Sequence, residues 1–460
     1  MKRTLRTTRN EMEYSVPVKK LHQVLAPKSW AALVLAALVL AGLNGAFPPS
    51  ACAQEARPSA SGSGKANLSR MVVVGDSLSA GFQNDSLLDT QQPHGWASVL
   101  AAQAKVPLVL PLIAPPGIPN VLELVTAGPP PIVEPAPGLA SPGRDDPYVQ
   151  ATDLAVPGAE LQDALTSLPS LPIDDLTDLV LGFPGLYEGV SLSQVEWAQA
   201  LKPTTVFAWI GNDDILGAAS EANPSGATSL SSFSSNYNKL LNQLSATGAT
   251  LVVANIPDVT VVPYFTPVTT IEQEAGLPLF IIGPILGIGS GDYVLPDGVA
   301  LIPGILANPS LGPLPSSDVL RAVQVLEVRA LIDAYNLIIT VGAIEHGAAL
   351  VDIHSLADQI RLQGVEANGH HLTNAFLGGL FSLDGVHPTD TGYAVIANQF
   401  ITTLNRTRGT SIPLVNIDQV ASGDPLVFGE TVPADSLGQH VSLATARALR
   451  SLFLHTTPPE

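Results

Sequence analysis

The sequence places a serine and an acid–histidine pair in two short segments that lie far apart along the chain. Ser77 stands in Val74–Ser79 (VGDSLS), and Asp384 precedes His387 by three residues in Ser382–Pro388 (SLDGVHP). A serine hydroxyl is a weak nucleophile until a base takes its proton, and histidine suits that role because it titrates near neutrality. A carboxylate on the other ring nitrogen would fix the tautomer and stabilise the imidazolium. These side chains therefore suit attack on a carbonyl carbon.

Each segment also has an ordinary structural interpretation when it is taken alone. Asp76 or Ser77 could cap a helix after a turn that ends a strand. Asp384 could cap a helix that begins near Thr389, with His387 an incidental loop residue. The catalytic interpretation therefore needs support from other parts of the chain.

Two further segments supply groups that could hold a developing negative charge. Acyl transfer puts negative charge on the carbonyl oxygen, which needs preorganised donors aimed at it. The side-chain amide of Asn212, in Trp209–Asp214 (WIGNDD), can supply one donor. Gly158, in Asp153–Ala159 (DLAVPGA), allows the backbone to approach closely, so its N–H can point at an oxyanion. Alone, Gly158 would be an ordinary loop glycine.

The elements that must position these residues are predicted from hydrophobic patterns. Short apolar runs predict strands over Met71–Val74, Thr205–Ile210, Thr250–Asn255 and Ala349–Ile353. Helical patterns over Gly95–Ala104 and about 229–246, 316–346 and 389–404 alternate with them. This alternation predicts an α/β fold, a three-layer α/β/α sandwich around a central parallel sheet. Polar residues just past its strands would then meet at one sheet edge, where α/β folds build their sites.

Together and in this order, the four segments resemble the SGNH (GDSL) hydrolase family, and the resemblance covers most of residues 70–405. In that family the serine of the GDSL block is the nucleophile, which falls on Ser77. The acid and base of the family's last block fall on Asp384 and His387. The resemblance implies a flavodoxin-like fold and a carboxylic ester hydrolase that works through a catalytic triad and an acyl-enzyme intermediate.

The same resemblance implies an oxyanion hole made by the N–H groups of Ser77 and Gly158 and the amide of Asn212. Many relatives carry asparagine where this chain has Asp153, which puts a loop contact in doubt and not the chemistry. The favoured substrate is an ester with an acyl or aryl group. Removal of acetyl groups from a polysaccharide is an alternative, and so is a non-catalytic surface binding protein on the same fold.

No cofactor is implied, and no metal site is expected. His370 and His371 stand together, but no cluster of carboxylates or cysteines accompanies them, which favours a structural loop.

The bulk composition limits the classes of partner. Of 460 residues, 46% are hydrophobic and 13% charged, and the formal net charge is −19. An apolar chain of this length can bury a sizeable core, which argues against disorder throughout. The acidic balance argues against nucleic acid, whose binding needs basic patches, and against anionic lipid surfaces. The expected partner is therefore a small-molecule, lipid or polysaccharide ester.

Residues 1–53 predict a signal for export. Basic residues precede an apolar run, Trp30–Leu43, that is shorter than the about 20 residues needed to span a bilayer. Ala51–Ala53 then matches the small-x-small pattern before a cleavage site, which would leave Gln54 at the new terminus. The alternative is a lipoprotein anchored through Cys52. We therefore expect a secreted or periplasmic protein with no stable membrane span after cleavage.

The expected organisation is a signal peptide over 1–53, a flexible linker over 54–67, a hydrolase domain over 68–408 and a C-terminal extension over 409–460. Two insertions are expected in the hydrolase domain, at about 108–146 and 261–315. Proline and glycine crowd the first insertion, which predicts an irregular loop. The second is apolar, and it is either extra core or a lid or acyl-binding wall. The extension predicts a final strand and a short helix near 441–454.

Overall fold

The structure is a computed structural model that describes residues 65–126, 131–139 and 143–427. The predicted signal peptide with Cys52, most of the predicted linker and the helix expected near 441–454 lie outside the described residues.

The described residues form strands and helices that alternate along the chain. In chain order the strands are β1 Met71–Gly75, β2 Leu122–Thr126, β3 Ile132–Pro135, β4 Thr205–Trp209, β5 Thr250–Ala254, β6 Thr266–Pro267, β7 Tyr293–Val294, β8 Val319–Leu320, β9 Ala349–Val351, β10 Val365–Ala367 and β11 His370–Leu372. The α-helices are α1 Ser77–Ala80, α2 Trp96–Ala104, α3 Leu161–Thr166, α4 Leu176–Leu181, α5 Gln194–Ala200, α6 Asp213–Ser220, α7 Leu230–Ser245, α8 Val268–Ala275, α9 Leu279–Leu286, α10 Pro296–Ala307, α11 Ala322–Glu345, α12 Ile353–Gln363, α13 Asp390–Arg408 and α14 Ile417–Gly423.

The central sheet is parallel and confirms the predicted fold class. Its strands lie in the order β1-β4-β5-β9, with Val72 opposite Val206 in the first pair. On the other side of β1, the backbone of Asp153 forms a parallel bridge with Val73. The chain therefore runs outward from β1 in both directions, as in a doubly wound sheet. Such a sheet has a crevice at the carboxyl ends of its strands where the direction reverses, and this point lies at β1.

Alternate residues of the strands point to opposite faces of the sheet, and each face is covered by helices. One face buries Val72, Val206 and Val253 in a cluster with apolar residues of α3, α5, α7 and α11. The other face buries Val73, Phe207 and Val252 against α2 and α13. Because both faces are buried, the strands are apolar throughout instead of alternating with polar residues.

Aromatic packing holds α2 and α13 together over the second face. The rings of Trp96 and Phe400 stack with their centroids 3.8 Å apart and their planes 7° apart, and Phe207 of β4 lies beside both. Both Trp96 and Phe400 are fully buried. Removing a buried aromatic ring of this kind costs about 3–5 kcal/mol, so this contact fixes α13 and the loop that precedes it.

Two predicted segments differ from the structure. The first insertion contains an antiparallel hairpin, β2 with β3, that composition alone did not show. The helix predicted from about 316 begins at Ala322, because Ser316–Asp318 forms a single 3₁₀ turn and β8 follows it. The side chain of Gln324 accepts a hydrogen bond from the Arg321 N–H, which starts the helix there.

The second insertion has its own small architecture. Its strands β6 and β7 form an antiparallel sheet with β8, which follows the insertion, and α8, α9 and α10 bury an apolar cluster that includes Ile271, Ile282 and Ile302. Much of its apolar composition is therefore used to pack the insertion itself. None of the described helices combines the length and the apolar character needed to cross a bilayer.

Candidate active site

Ser77 lies at the turn between β1 and α1, at the first helical position. Asp76 caps the helix, since its Oδ1 accepts a hydrogen bond from the Leu78 N–H at 3.1 Å. The first N–H groups of a helix have no acceptor within it, so the Ser77 N–H is available to another group. A Cβ on Gly75 would lie 2.6 Å from the Trp209 carbonyl oxygen, so only glycine lets β1 and β4 approach this closely. Gly75 therefore allows the close contact between β1 and β4, and Asp76 places Ser77 at the start of α1.

Asn212 lies beside this turn because β4 is the neighbour of β1. Its Nδ2 donates a hydrogen bond to Asp76 Oδ2 at 2.7 Å, and the residue is only 4% exposed. This contact orients the amide and leaves its second hydrogen for another acceptor. Burial raises the pKa of Asp76 to about 6, although the hydrogen bonds from Asn212 and Leu78 oppose the rise.

Asp384 and His387 form a buried pair in the loop before α13. His387 Nδ1 lies 3.1 Å from Asp384 Oδ2, and both side chains are fully buried. The same oxygen accepts the Asp85 N–H at 2.8 Å, and Asp384 Oδ1 accepts the N–H groups of Val386 and His387 at 2.8 Å each. The carboxyl group thus receives four hydrogen bonds.

These four contacts keep Asp384 ionised. Burial alone would raise the pKa of Asp384, but the neighbouring His387 and the hydrogen bonds outweigh it and hold the pKa below its usual range. A carboxylate that accepts the Nδ1 hydrogen also fixes which nitrogen of His387 is free to accept a proton.

His387 and Ser77 both line one cavity. His387 Nε2 is buried and has no hydrogen-bond partner within the described part of the chain. The ring of Phe82 lies against the imidazole, with centroids 4.8 Å apart. The structure records no hydrogen bond between Ser77 and His387 among the residues it describes, and such contacts are often long before a substrate binds.

Gly158 lies at the same end of β1, on the side opposite to β4. The N–H of Val156 donates to the Gly75 carbonyl at 3.1 Å, which holds this loop against the strand. Gly158 has a φ of +81°, a conformation that glycine adopts without strain. The structure thus brings the loop of Gly158 and the residues Ser77 and Asn212 to one corner of the sheet.

The turn that holds the loop of Asp384 was not predicted from the sequence. Asn84 and Asp85 both have positive φ, of 52° and 56°. Asn84 Oδ1 accepts the Leu383 N–H at 3.0 Å, and the Asn84 N–H donates to Ser382 Oγ at 3.0 Å. An Asn-Asp pair marks a turn in a sequence because both residues tolerate left-handed backbone. The local signal was present, but it does not show which distant loop the turn contacts.

Several other acids are buried around this corner. Both carboxyl oxygens of Asp213 lack a hydrogen-bond partner within the described residues, and burial, with the nearby charges of Asp76 and Asp214, raises its pKa well above the usual value. Burial also raises the pKa of Asp214 to about 6 and that of Asp153 to about 8. The environment therefore favours their neutral forms far more than water does.

The cavity beside Ser77 has mostly apolar walls. Its empty volume is about 870 Å³ when the open solvent at its mouth is counted. The insertion at 261–315 contributes only Val261 and Val262 to the lining, and α12 supplies a larger share of the wall. The possibility that the insertion forms the acyl-binding wall is therefore not supported over most of its length.

The paired histidines belong to a surface hairpin. His370 and His371 begin β11, which pairs with β10. His371 Nδ1 lies 2.6 Å from Glu366 Oε1, and both side chains are largely exposed. This cross-strand contact gives His371 a structural role.

A sequence model of the family described as GDSL-like lipase/acylhydrolase matches residues 71–400, which include every segment of the site. No protein among the curated sequences matches the chain significantly.

LAE5, TesA and Axe2 are among the solved structures that match this chain. LAE5, an α/β hydrolase enzyme from the metagenome of Lake Arreo, Spain, has 14% identity and a TM-score of 0.34, over 75% of this chain and 97% of that chain. TesA has 14% identity and a TM-score of 0.31, over 73% of this chain and 98% of that chain. Axe2, an acetylxylan esterase from Geobacillus stearothermophilus, has 12% identity and a TM-score of 0.34, over 74% of this chain and 96% of that chain. Likeness at this level carries no argument about substrate.

Proposed function

Because the chain belongs to the GDSL-like lipase/acylhydrolase family, we propose that it hydrolyses carboxylic esters with Ser77 as nucleophile, His387 as base and Asp384 as the partner of His387. The observation that carries this proposal is the environment of the imidazole. Its Nδ1 lies 3.1 Å from a carboxylate oxygen, its Nε2 is buried and has no hydrogen-bond partner within the described residues, and the residue lines the same cavity as Ser77. A histidine held in this way is arranged to take a proton from a neighbouring hydroxyl.

The proposed reaction has two halves. His387 Nε2 takes the proton of the Ser77 hydroxyl as Oγ forms a bond to the ester carbonyl carbon. The carbonyl oxygen becomes an oxyanion held by the N–H groups of Ser77 and Gly158 and the amide of Asn212. The C–O bond to the alcohol then breaks, and His387 gives its proton to the leaving oxygen. Water attacks the acyl-enzyme by the same route and releases the acid and Ser77.

Asp384 supports both halves through charge. It remains ionised because of its four hydrogen bonds, so a negative charge lies 3.1 Å from the imidazole when His387 becomes positive. A fixed charge in a buried site stabilises the imidazolium more than water would. Asp384 is thereby expected to lower the barrier without itself taking a proton.

A fluorophosphonate probe, which reacts only with an activated serine, tests the assignment. We expect the wild type to be labelled, the Ser77→Ala variant to lose labelling and the His387→Ala variant to label far more slowly. Ser79→Ala is the matched control, because Ser79 is also buried in α1 but its Oγ faces the Trp209 carbonyl. Labelling that survives in Ser77→Ala would reject Ser77 as the nucleophile.

The lining of the cavity also bears on the choice between an ester with an acyl or aryl group and an acetylated polysaccharide. Its apolar lining favours an ester with an apolar group over an acetylated polysaccharide. Hydrolysis of p-nitrophenyl esters compared with acetylated xylan separates these two substrates. Absence of any labelling of the wild type would favour the non-catalytic binding protein instead.

We also propose that the protein is exported and then cleaved after Ala53. The support is the sequence pattern, a basic stretch followed by an apolar run and the small residues Ala51 and Ala53. Mass spectrometry of the mature N-terminus tests this directly. Gln54 as the first residue would support cleavage, whereas a lipid on Cys52 would show an anchored lipoprotein.

A further inference from the structure

Helix α12 carries an apolar stripe that faces the cavity. Ile353, Leu356, Ala357 and Ile360 follow the spacing that places residues on one side of a helix, and all four line the cavity beside Ser77. Only Ile353 is fully buried, and the other three are half-buried. An amphipathic helix in a globular protein normally turns such a stripe into the core. Here Leu356 and Ile360 pack in part against apolar clusters of the core, and the remaining surface of the stripe forms a wall of the cavity.

The rest of the cavity continues this wall toward the nucleophile. The turn that contains Val259 and Val261 packs between α12 and α6, and α6 begins directly after Asn212. Leu216, one turn into α6, lines the same space. The apolar surface therefore runs from the amide of Asn212 outward to α12.

We propose, on the basis of the ester hydrolysis proposed above, that the α12 stripe binds the acyl chain of the substrate and makes medium-length acyl esters better substrates than acetyl esters. The acyl group is the part of the ester that stays bonded to Ser77 through both halves of the reaction. An apolar wall that begins at Ser77 can therefore stabilise both transition states through the acyl group, but only the first through the alcohol. Each methylene buried there raises kcat/KM by roughly fourfold.

The test compares p-nitrophenyl acetate, butanoate and octanoate in the wild type and in two tryptophan variants of α12. In the wild type we expect kcat/KM to be at least about tenfold higher for octanoate than for acetate, as two buried methylenes would give. Ala357→Trp fills the cavity wall and should lower the octanoate-to-acetate ratio by about tenfold or more. Gln359→Trp is the matched control, because Gln359 is exposed on the same helix, and its ratio should equal that of the wild type.

Several results would overturn the acyl site and leave ester hydrolysis intact. A wild type that prefers acetate, or an Ala357→Trp variant with an unchanged ratio, would reject the stripe as the acyl wall. Faster hydrolysis of octyl acetate than of its isomer ethyl octanoate, which also has an alkyl leaving group, would place the chain on the alcohol side instead. Titration with the fluorophosphonate probe counts active sites, so misfolding of Ala357→Trp is detected separately, and Ala357→Leu repeats the test with a smaller side chain. Failure of Ser77→Ala to abolish activity would reject the proposed function itself.

Discussion

Two buried carboxyl groups near the proposed site have opposite surroundings. Asp384, in the loop that carries His387, receives four hydrogen bonds, and its pKa lies below the usual range because these contacts and His387 outweigh burial. Asp213, next to Asn212, has neither oxygen hydrogen-bonded within the described residues. Burial and the acids around it raise its pKa well above the usual value.

The difference shows that burial alone does not decide whether an acid carries charge. Water stabilises a carboxylate strongly, so a buried one stays ionised only where donors replace that water. The fold supplies donors around Asp384 from three backbone N–H groups and an imidazole, but none of the described groups does so for Asp213. One side of the site thus holds a fixed negative charge, whereas the other favours neutral acids beside the proposed oxyanion hole.

Of the changes to these two acids and their surroundings, the largest effect is expected from neutralising Asp384, the charged one. Asp384→Asn places an amide where His387 needs an acceptor, which favours the wrong tautomer, so we expect kcat for p-nitrophenyl butanoate to fall about 10⁴-fold. In the wild type, the contribution of Asp384 to the free energy of unfolding is present above its unfolded pKa near 3.8. This contribution is lost as the pH falls through the folded pKa, which is lower. The variant should therefore unfold at lower denaturant concentration near neutral pH, with a smaller difference in acid.

A surface aspartate provides the control for this variant. Asp358 pairs with Arg361 at 3.0 Å, and both side chains are about 40% exposed, so Asp358→Asn should change stability by less than about 1 kcal/mol. A kcat for Asp384→Asn equal to that of Asp358→Asn would show that the buried charge has no part in the reaction.

A smaller effect is expected from the turn that holds the loop of Asp384. Asn84→Ala removes the acceptor of the Leu383 N–H and places alanine at a φ of 52°. We expect the free energy of unfolding to fall by about 2–3 kcal/mol and kcat to fall about tenfold, because the loop of His387 loses its fixed position. Urea unfolding and steady-state kinetics measure the two effects.

Asn120→Ala separates positioning from general stability. The Asn120 side chain donates to the carbonyls of Ala136 and Gly138, away from the cavity lining. This variant should lose stability and keep kcat. Equal losses of kcat in both asparagine variants would mean that Asn84 acts only through overall stability.

The parts of the fold that were predicted from sequence are those with a local cause. The four central strands are buried on both faces, so each is an unbroken apolar run, and Ser77 and Asn212 stand just past two of them. Parallel strands bring their carboxyl ends to one edge, so adjacency of these two residues followed from the strand pattern.

The parts that were not predicted depend on contacts between distant segments. Asp85 donates to a carboxylate 299 residues away, and no local pattern encodes that partner. The apolar insertion and α12 have similar apolar residues, but the insertion turns Ile271 and Ile282 into its own cluster whereas α12 turns Leu356 toward the cavity. Composition identifies apolar surface, and only the packing shows which surface is left for a ligand.

The raised pKa of Asp213 predicts an effect of pH on stability and on activity. The pKa of Asp213 is higher in the folded protein than in the unfolded chain. Its contribution to the free energy of unfolding is therefore fully present below pH 3.8 and is lost as the pH rises through the folded pKa. Asp213→Asn cannot ionise, so its free energy of unfolding should exceed that of the wild type increasingly toward alkaline pH. Its kcat should also fall less at alkaline pH, by severalfold, because no negative charge develops beside the proposed oxyanion hole. Identical pH profiles for the two proteins would contradict a neutral Asp213.

The smallest effect on activity is expected at Asp153, which lies at the edge of the sheet. Its Oδ1 accepts the Ala155 N–H at 3.2 Å, and its Oδ2 has no partner within the described residues. Burial raises its pKa to about 8, so the wild type should lose stability progressively between about pH 4 and pH 8. Asparagine keeps the acceptor for Ala155 and removes the titration, so the Tm of Asp153→Asn should equal that of the wild type in acid and exceed it near pH 8. A variant with a Tm below the wild type across this range would show that Asp153 is charged and paired, like Asp384.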